Sequence, residues 1–123
     1  MCIRDRSRPS EIAFIKKSFP SLQIIAAHLG GMYMYEESLK HIVGSDIYIE
    51  TSMSYVRCTD KNIYEKIIKG HNPDRILFGS DCPWSDPAHE LSNLKSLGLS
   101  SDIMEKITYK NAAKLLGLAY GEK

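Results

Sequence analysis

Two side chains that can bind a metal or transfer a proton follow two of the apolar runs in the sequence. His28 comes directly after the run at residues 22–27, and Asp81 comes two residues after the run at 75–79. In parallel α/β folds, ligands gather beyond the carboxyl ends of the strands. We therefore expect His28 and Asp81 to open onto the same rim. An imidazole and a carboxylate on one rim can hold a divalent cation or activate water as a nucleophile.

Each of these residues also has a plain structural interpretation. His28 could hydrogen-bond within a turn, and the Ser-Asp-x-Pro sequence at residues 80–83 is ordinary turn chemistry. Gly30 and Gly31 let a backbone approach a ligand closely, but paired glycines are also common turn formers. Trp84 offers a flat wall beside the carboxylate. A site is favoured by the whole segment, because a buried strand then delivers a carboxylate at a rigid end.

The other chemistry-bearing residues have weaker signals. Glu50, near the end of the middle run, could face the polar site or pair with a lysine, and a structural pairing is favoured. His71 follows a helix stop and is expected to interact with the carbonyls at that helix end. Cys82 adjoins Asp81, but neither a base nor a motif marks it as a nucleophile. Surface or boundary positions are expected for His41 and His89.

The elements that must position these residues alternate along the chain. Strands are predicted at residues 22–27, 47–51 and 75–79, where short apolar runs occur. Helices are predicted at 10–19, 35–43, 61–69 and 87–97, followed by two short helices near 103–107 and 111–116. Ile12, Ile15 and Phe19 lie at helical spacing in the first, and Asp60 and Asp86 are the expected N-caps of the third and fourth. This order predicts right-handed crossovers and a parallel α/β sheet. Three parallel strands leave two open edges, so association through those edges, as a homo-oligomer, is an expectation.

Composition narrows the class of protein. The 123 residues are 43% hydrophobic and 25% charged with a net charge of +1, which is typical of one globular domain. This excludes disordered, fibrous and membrane-spanning classes, and neither nucleic acid nor a membrane is the expected partner. The three cysteines, Cys2, Cys58 and Cys82, form neither a disulfide framework nor a metal knuckle. They favour a reducing, cytoplasmic location.

Four segments together resemble a known enzyme family. They are FPSLQIIAAHLGG, IYIETS, NPDRILFGSDCPW and ITYKNAAKLLGL. In this order they are similar to the C-terminal part of amidohydrolase-related metal-dependent enzymes. That branch includes aminocarboxymuconate-semialdehyde decarboxylase and related hydrolases and lyases. The resemblance spans residues 9–118 and implies a partial (β/α)8 TIM barrel, with the three runs as barrel strands six to eight.

The resemblance also implies roles for individual residues. Asp81 would be a metal ligand that contacts the metal-bound water. His28 would lie beside the metal and either deprotonate that water or bind the metal directly. Trp84, with Gly30 and Gly31, would form part of the substrate pocket. The implied cofactor is a divalent metal, with zinc expected, and the implied substrate is a small organic molecule.

One departure from the family pattern is important. The family's HxH pair on strand one and its histidine on strand five have no counterpart in this sequence. A catalytic zinc usually has three protein ligands, so we expect the chain alone to bind metal weakly and to turn over little substrate. The opening MCIRDRS resembles no first element, so residues 1–8 are predicted to be a non-native leader and residues 9–123 the barrel segment.

The leading functional prediction is therefore a metal-dependent hydrolase acting through metal-activated water, present as a fragment. A non-oxidative decarboxylase of the same family is the first alternative. A second alternative is a non-catalytic small α/β binding domain of the flavodoxin or receiver type. It is disfavoured because a receiver needs an acidic pair after its first strand, where this chain has His28. A third is a fragment that completes a barrel as a partner subunit.

Overall fold

The computed structural model describes residues 7–119, in which three short parallel strands form one sheet. The strands are β1 (Ile25–Ala26), β2 (Tyr48–Glu50) and β3 (Ile76–Leu77), in the order β1-β2-β3. Ile49 lies opposite Ala26 on one side and Ile76 on the other. Strands and helices alternate, and the sheet is parallel, as the sequence predicts. Among the described residues β1 and β3 form the edges of the sheet.

One helix precedes the strands, and the other helices connect or follow them. Within residues 7–119 they are α1 (Pro9–Ser18), α2 (Tyr35–His41), α3 (Ser54–Arg57), α4 (Lys61–Gly70), α5 (Pro87–Lys95), α6 (Ser101–Glu105) and α7 (Asn111–Leu116). Asp60 and Asp86 cap α4 and α5 by accepting backbone N–H bonds, as their positions predict. The single turn of α3 was not predicted, because four residues are too few to show helical periodicity.

The two short helices predicted near the C-terminus are one continuous helical segment. A π-helical turn, Lys106–Lys110, joins α6 to α7 without leaving helical backbone angles. This turn also accounts for the short length of β3. The Phe78 N–H donates to the Ile107 carbonyl at 2.9 Å, so it is not available to the sheet. The observed strands are shorter than the predicted runs because side chains and helices take over hydrogen bonds at the strand ends.

The core lies between the sheet and the helices that cover it. Ile49 in β2, Ile67 in α4 and Leu94 in α5 are fully buried. Burial of such side chains is the main favourable contribution to folding. The apolar side of α1 is different, because Phe14 and Phe19 are 69% and 62% exposed. Ile12, Ile15 and Phe19 lie at helical spacing, but only Ile12 of these three packs against the core, and Phe19 lies just past the end of α1.

Asn111 fastens the C-terminal helical segment to the end of β3. Its side-chain amide donates to the Pro73 carbonyl at 2.7 Å and to the Ile76 carbonyl at 2.8 Å, and the residue is only 6% exposed. Two backbone carbonyls therefore depend on this one side chain. The structure thus gives a packing role to the asparagine of the NAA sequence.

Replacing Asn111 with alanine is expected to lower the free energy of unfolding by about 2–3 kcal/mol, because both carbonyls lose their donor. Urea denaturation followed by circular dichroism measures this loss. Asn62→Ala, at an exposed position of α4, is the matched control and should change stability by less than about 0.5 kcal/mol. Equal effects of the two substitutions would show that the Asn111 bonds contribute little.

Two of the three cysteines lie in the described part of the chain. Cys58 is a buried free thiol and Cys82 an exposed one. Cys2 and the first six residues of the predicted leader lie outside the described part of the chain. No helix within residues 7–119 combines the length and the apolar character needed to cross a bilayer.

Candidate functional site

The carboxyl ends of the three strands carry a cluster of polar side chains. His28 follows β1, Ser52 follows β2 and Asp81 follows β3. His28 Nε2 lies 4.0 Å from Asp81 Oδ2, although the two residues are far apart in sequence. His28 is 7% exposed, whereas the Asp81 side chain is 42% exposed. The structure therefore places the imidazole and the carboxylate at one mouth, with the carboxylate facing solvent.

The backbone at each strand end is held in an unusual conformation. His28, Met53 and Asp81 all have positive φ angles, of 54°, 54° and 60°. Left-handed backbone at a non-glycine residue costs on the order of 1–3 kcal/mol and persists only where the surroundings impose it. At least one such residue follows each strand, and Leu29, next to His28, is another at 56°. Strained backbone of this kind is concentrated at functional sites, and here it occurs at both His28 and Asp81.

Glu50 is part of this cluster, and the structural pairing with a lysine favoured from the sequence was wrong. Its Oε1 accepts the His28 backbone N–H at 2.8 Å and the Ser52 hydroxyl at 2.5 Å. Its Oε2 accepts the Ser52 backbone N–H at 3.2 Å. The alternation of side chains along the strand does not determine which residues Glu50 contacts. Ser52 was assigned no role from the sequence, although its position after β2 is similar to that of His28 after β1.

The imidazole of His28 is contacted on both of its nitrogens. Nδ1 lies 3.0 Å from the Ser52 carbonyl oxygen and 3.0 Å from Ser52 Oγ. Nε2 points toward Asp81. The ring is thus fixed on its inner side and directed to the mouth on its outer side.

Gly30 and Gly31 are required by packing. Gly30 has a φ of +94°, and a Cβ there would lie 3.1 Å from Ile42 Cγ1. A Cβ on Gly31 would lie 2.8 Å from Pro9 Cγ. Close contact with α2 and α1 explains both glycines without a ligand. They line a groove together with His28, so a contact with substrate stays a prediction.

Trp84 lies on a different cavity of the rim. Its backbone N–H donates to the Asp81 carbonyl at 2.8 Å, and its side chain is 77% exposed. With Arg57 and His89, Trp84 lines a cavity of about 320 Å³ that does not include Gly30 or Gly31. The predicted pocket residues are therefore divided between two cavities. The role of Trp84 as a wall for substrate stays a prediction.

The sequence predicts that His71 interacts with the carbonyls at the end of α4, and its backbone N–H does donate to the Ile67 carbonyl at 3.0 Å, but its side chain bonds elsewhere. It is 2% exposed; its Nδ1 accepts the Gly44 backbone N–H at 3.2 Å, and its Nε2 donates to the Ile47 carbonyl at 2.8 Å. These bonds require a neutral ring. Burial lowers the pKa of His71, and the nearby Arg75 guanidinium lowers it further. His71 is therefore a structural residue that joins the loop after α2 to β2.

Stability is expected to fall as the pH drops through about 6.5, the ordinary pKa of the His71 side chain. Below that pH the His71 side chain is protonated in the unfolded chain but stays neutral in the folded chain, so the free energy of unfolding rises with pH. Between pH 7.5 and 5.5 the loss should approach about 1 kcal/mol. Urea denaturation at both values measures it. His71→Gln should remove this component and exposed His89→Gln should keep it; identical pH dependence in both variants would contradict the account.

The cluster carries side chains of types that could bind a divalent metal. A neutral imidazole nitrogen and a carboxylate oxygen are donor types that zinc and manganese accept. Catalytic zinc usually takes three protein ligands. Within residues 7–119 no group of three or more His, Cys, Asp or Glu side chains is arranged to hold a metal. His28 and Asp81 thus fit a metal as two ligands, and further ligands would have to come from elsewhere.

Comparison with known proteins identifies the class. The sequence model of the amidohydrolase family matches residues 4–118, and this chain belongs to that family. No curated protein matches the sequence. The resemblance stated from the four sequence segments is therefore confirmed.

Several solved structures share the fold. An amidohydrolase from Burkholderia multivorans with bound zinc aligns at a TM-score of 0.70 and 12% identity, covering 90% of this chain and 49% of its own. A TIM-barrel protein from Bordetella bronchiseptica aligns at 0.69 and 21%, covering 89% and 39%. A dihydroxybenzoic acid decarboxylase from Polaromonas sp. JS666, with manganese and the inhibitor 2-nitroresorcinol, aligns at 0.62 and 20%, covering 87% and 37%.

These alignments confirm the predicted fold class. The chain spans half or less of the length of the TIM-barrel proteins that it matches. Its three strands and flanking helices thus correspond to one part of such a barrel. Relatives in the same fold carry a divalent metal.

Proposed function

We propose that this chain supplies part of the active-site rim of a divalent-metal-dependent hydrolase, with Asp81 as a metal ligand and His28 as the base. The observation that carries this proposal is the 4.0 Å separation of His28 Nε2 and Asp81 Oδ2 at the ends of β1 and β3. Membership of the amidohydrolase family supports it. Zinc is the expected metal, and the zinc and manganese relatives support a divalent ion in this fold.

A bound divalent metal polarises a substrate carbonyl and lowers the pKa of a water ligand toward about 7. The residues of this chain would do the rest. Asp81, exposed at the mouth, offers carboxylate oxygens to the cation. His28 Nε2 takes a proton from the attacking water and returns it to the leaving group, as a general base that then acts as a general acid. If His28 instead bound the metal directly, Asp81 would have to move that proton.

The substrate we expect is a small organic molecule that enters from the mouth. Gly30, Gly31 and Trp84 flank this mouth in two cavities and are proposed to contact the substrate. A reducing, cytoplasmic location accompanies this proposal and is supported by the free thiols of Cys58 and Cys82.

A non-oxidative decarboxylase is the second candidate function. It is favoured by the similarity to the Polaromonas dihydroxybenzoic acid decarboxylase. The same two side chains would serve it, because a carboxylated aromatic ring also needs a proton delivered at the mouth. The two candidates differ in product: hydrolysis yields an acid and an alcohol or amine, whereas decarboxylation yields carbon dioxide.

The test is turnover by the full chain loaded with Zn²⁺ or Mn²⁺, assayed on a lactone and on a dihydroxybenzoate. We expect slow, metal-dependent lactone opening that falls by about 10²–10⁴-fold in His28→Gln, the usual contribution of a general base. His41→Gln, at the C-terminal end of α2 and outside both cavities, is the control and should retain the rate. Carbon dioxide release with the same dependence on His28 would identify the decarboxylase. Turnover that is indifferent to His28 would contradict both candidates.

A further inference from the structure

The inner side of the His28 ring is occupied by a network that begins at Glu50. The Glu50 carboxylate accepts three hydrogen bonds, from the His28 N–H, the Ser52 N–H and the Ser52 hydroxyl. Both the carbonyl and the hydroxyl oxygen of Ser52 then lie 3.0 Å from His28 Nδ1. Ser52 is 3% exposed, so water is largely excluded from these contacts.

The positions of the protons in this network follow from the chemistry of its members. A backbone carbonyl only accepts, so the contact between the Ser52 carbonyl and Nδ1 requires a proton on Nδ1. A carboxylate also only accepts, so the Ser52 hydroxyl proton is directed to Glu50 Oε1, 2.5 Å away. The Ser52 hydroxyl oxygen is then left to accept from Nδ1 as well. Both contacts therefore require a proton on Nδ1.

We propose that Glu50 and Ser52 are positioning residues that hold His28 in the Nδ1–H tautomer. This tautomer leaves the lone pair of Nε2 unprotonated and directed at Asp81. A base or a metal ligand needs that lone pair, so the value of the network for catalysis rests on the function proposed above. The tautomer itself is a property of the folded chain and can be measured without any reaction.

The Glu50 carboxylate has room in this place only because residue 79 is a glycine. A Cβ on Gly79, the residue two positions after β3, would lie 2.0 Å from Glu50 Oε2. Gly79 therefore permits the carboxylate to occupy its place beneath His28. Thr51, the residue after Glu50, also contacts Gly79, because its hydroxyl oxygen accepts the Gly79 N–H at 3.3 Å. All three strand ends thus contribute to holding the carboxylate.

A second buried histidine provides an internal reference for the test. His71 accepts the Gly44 N–H at Nδ1 and reaches the Ile47 carbonyl with Nε2, so its proton lies on Nε2. The two buried histidines should therefore have opposite tautomers. Nitrogen-15 NMR of the imidazole rings distinguishes them directly, because protonated and unprotonated ring nitrogens have well-separated shifts.

The experiment is nitrogen-15 NMR of the full chain at neutral pH, with ring signals assigned from His28→Gln and His71→Gln spectra. We expect His28 as Nδ1–H and His71 as Nε2–H. In Glu50→Gln the side-chain amide can donate to Ser52 Oγ, which frees the hydroxyl proton for Nδ1. The ratio of Nε2–H to Nδ1–H at His28 should then rise by about fivefold or more, the factor that one net hydrogen bond represents. His71 should not change.

Control variants separate this role from a structural one. Glu65→Gln removes an exposed carboxylate that pairs with Lys69 and should leave the His28 tautomer unchanged. Asp102→Asn, which removes an exposed carboxylate on α6, should also leave it unchanged. The tautomer is measured without added metal, so failure of the metal proposal and failure of this one are distinguishable. If Glu50→Gln does not fold, Ser52→Ala decides, because it removes the hydroxyl and should shift the ratio in the same direction.

Two results would overturn the proposal. One is a wild-type His28 that carries its proton on Nε2. The other is a folded Glu50→Gln chain, or a folded Ser52→Ala chain when the first does not fold, in which the His28 tautomer ratio equals that of the wild type.

Discussion

Replacing Gly79 with alanine is expected to lower the free energy of unfolding by about 2–4 kcal/mol and to displace Glu50 from His28. The added Cβ would lie 2.0 Å from Glu50 Oε2 and 3.2 Å from its Cδ. A carboxylate could normally rotate away, but this one accepts three hydrogen bonds from His28 and Ser52. Overpacking costs about 1–3 kcal/mol, and the broken hydrogen bonds add to it. Urea denaturation measures the stability.

A double-mutant cycle isolates the cause of that loss. In a Glu50→Ala background the carboxylate is gone, and the next atom near the new Cβ is Ser52 Cβ at an ordinary 3.5 Å. Gly79→Ala should then cost less than about 1 kcal/mol, which gives a coupling energy of at least about 1 kcal/mol between the two positions. Additive effects of the two substitutions would show that Glu50 does not occupy the space beneath His28.

Replacing Ile49 with alanine is expected to cost about 2–5 kcal/mol. Ile49 is fully buried in the central strand, between Ala26 and Ile76. The free energy of unfolding of a single domain is only about 5–15 kcal/mol, so this loss is a large fraction of the total. Thermal and urea denaturation would measure the loss.

Ile25→Ala is the matched control, because Ile25 has the same side chain in the adjacent strand β1 but is 53% exposed. It should cost less than about 1 kcal/mol. Comparable losses at Ile25 and Ile49 would mean that the sheet does not bury the face that the structure assigns to its core.

The order of strands and helices could be predicted because local chemistry marks it. Apolar runs identified all three strands, and the aspartates at residues 60 and 86 marked helix starts that the structure confirms. Strand length was overestimated, because the Phe78 N–H bonds to a helical carbonyl that only the folded chain brings near. The exposure of the apolar side of α1 could not be predicted either, because helical spacing shows which residues share a face but not whether another element covers that face.

The candidate site was predicted in outline. Because the carboxyl ends of parallel strands meet at one edge, the sequence predicts that His28 and Asp81 lie together, and in the structure His28 Nε2 is 4.0 Å from Asp81 Oδ2. Glu50 and Ser52 were not identified as its supports, because their bonds depend on left-handed turns after the strands. Trp84 was assigned to the same wall as Gly30 and Gly31, but loop direction puts it on another cavity.

The most direct test of the central claim is paramagnetic line broadening by substoichiometric Mn²⁺ in NMR spectra of the full chain, which detects even weak binding. We expect selective broadening of His28 and Asp81 signals. Asp81→Asn should abolish this broadening, whereas Asp102→Asn, which removes an exposed carboxylate on α6, should leave it intact. Broadening that avoids the strand ends, or that survives Asp81→Asn unchanged, would contradict the claim that Asp81 binds a divalent cation beside His28.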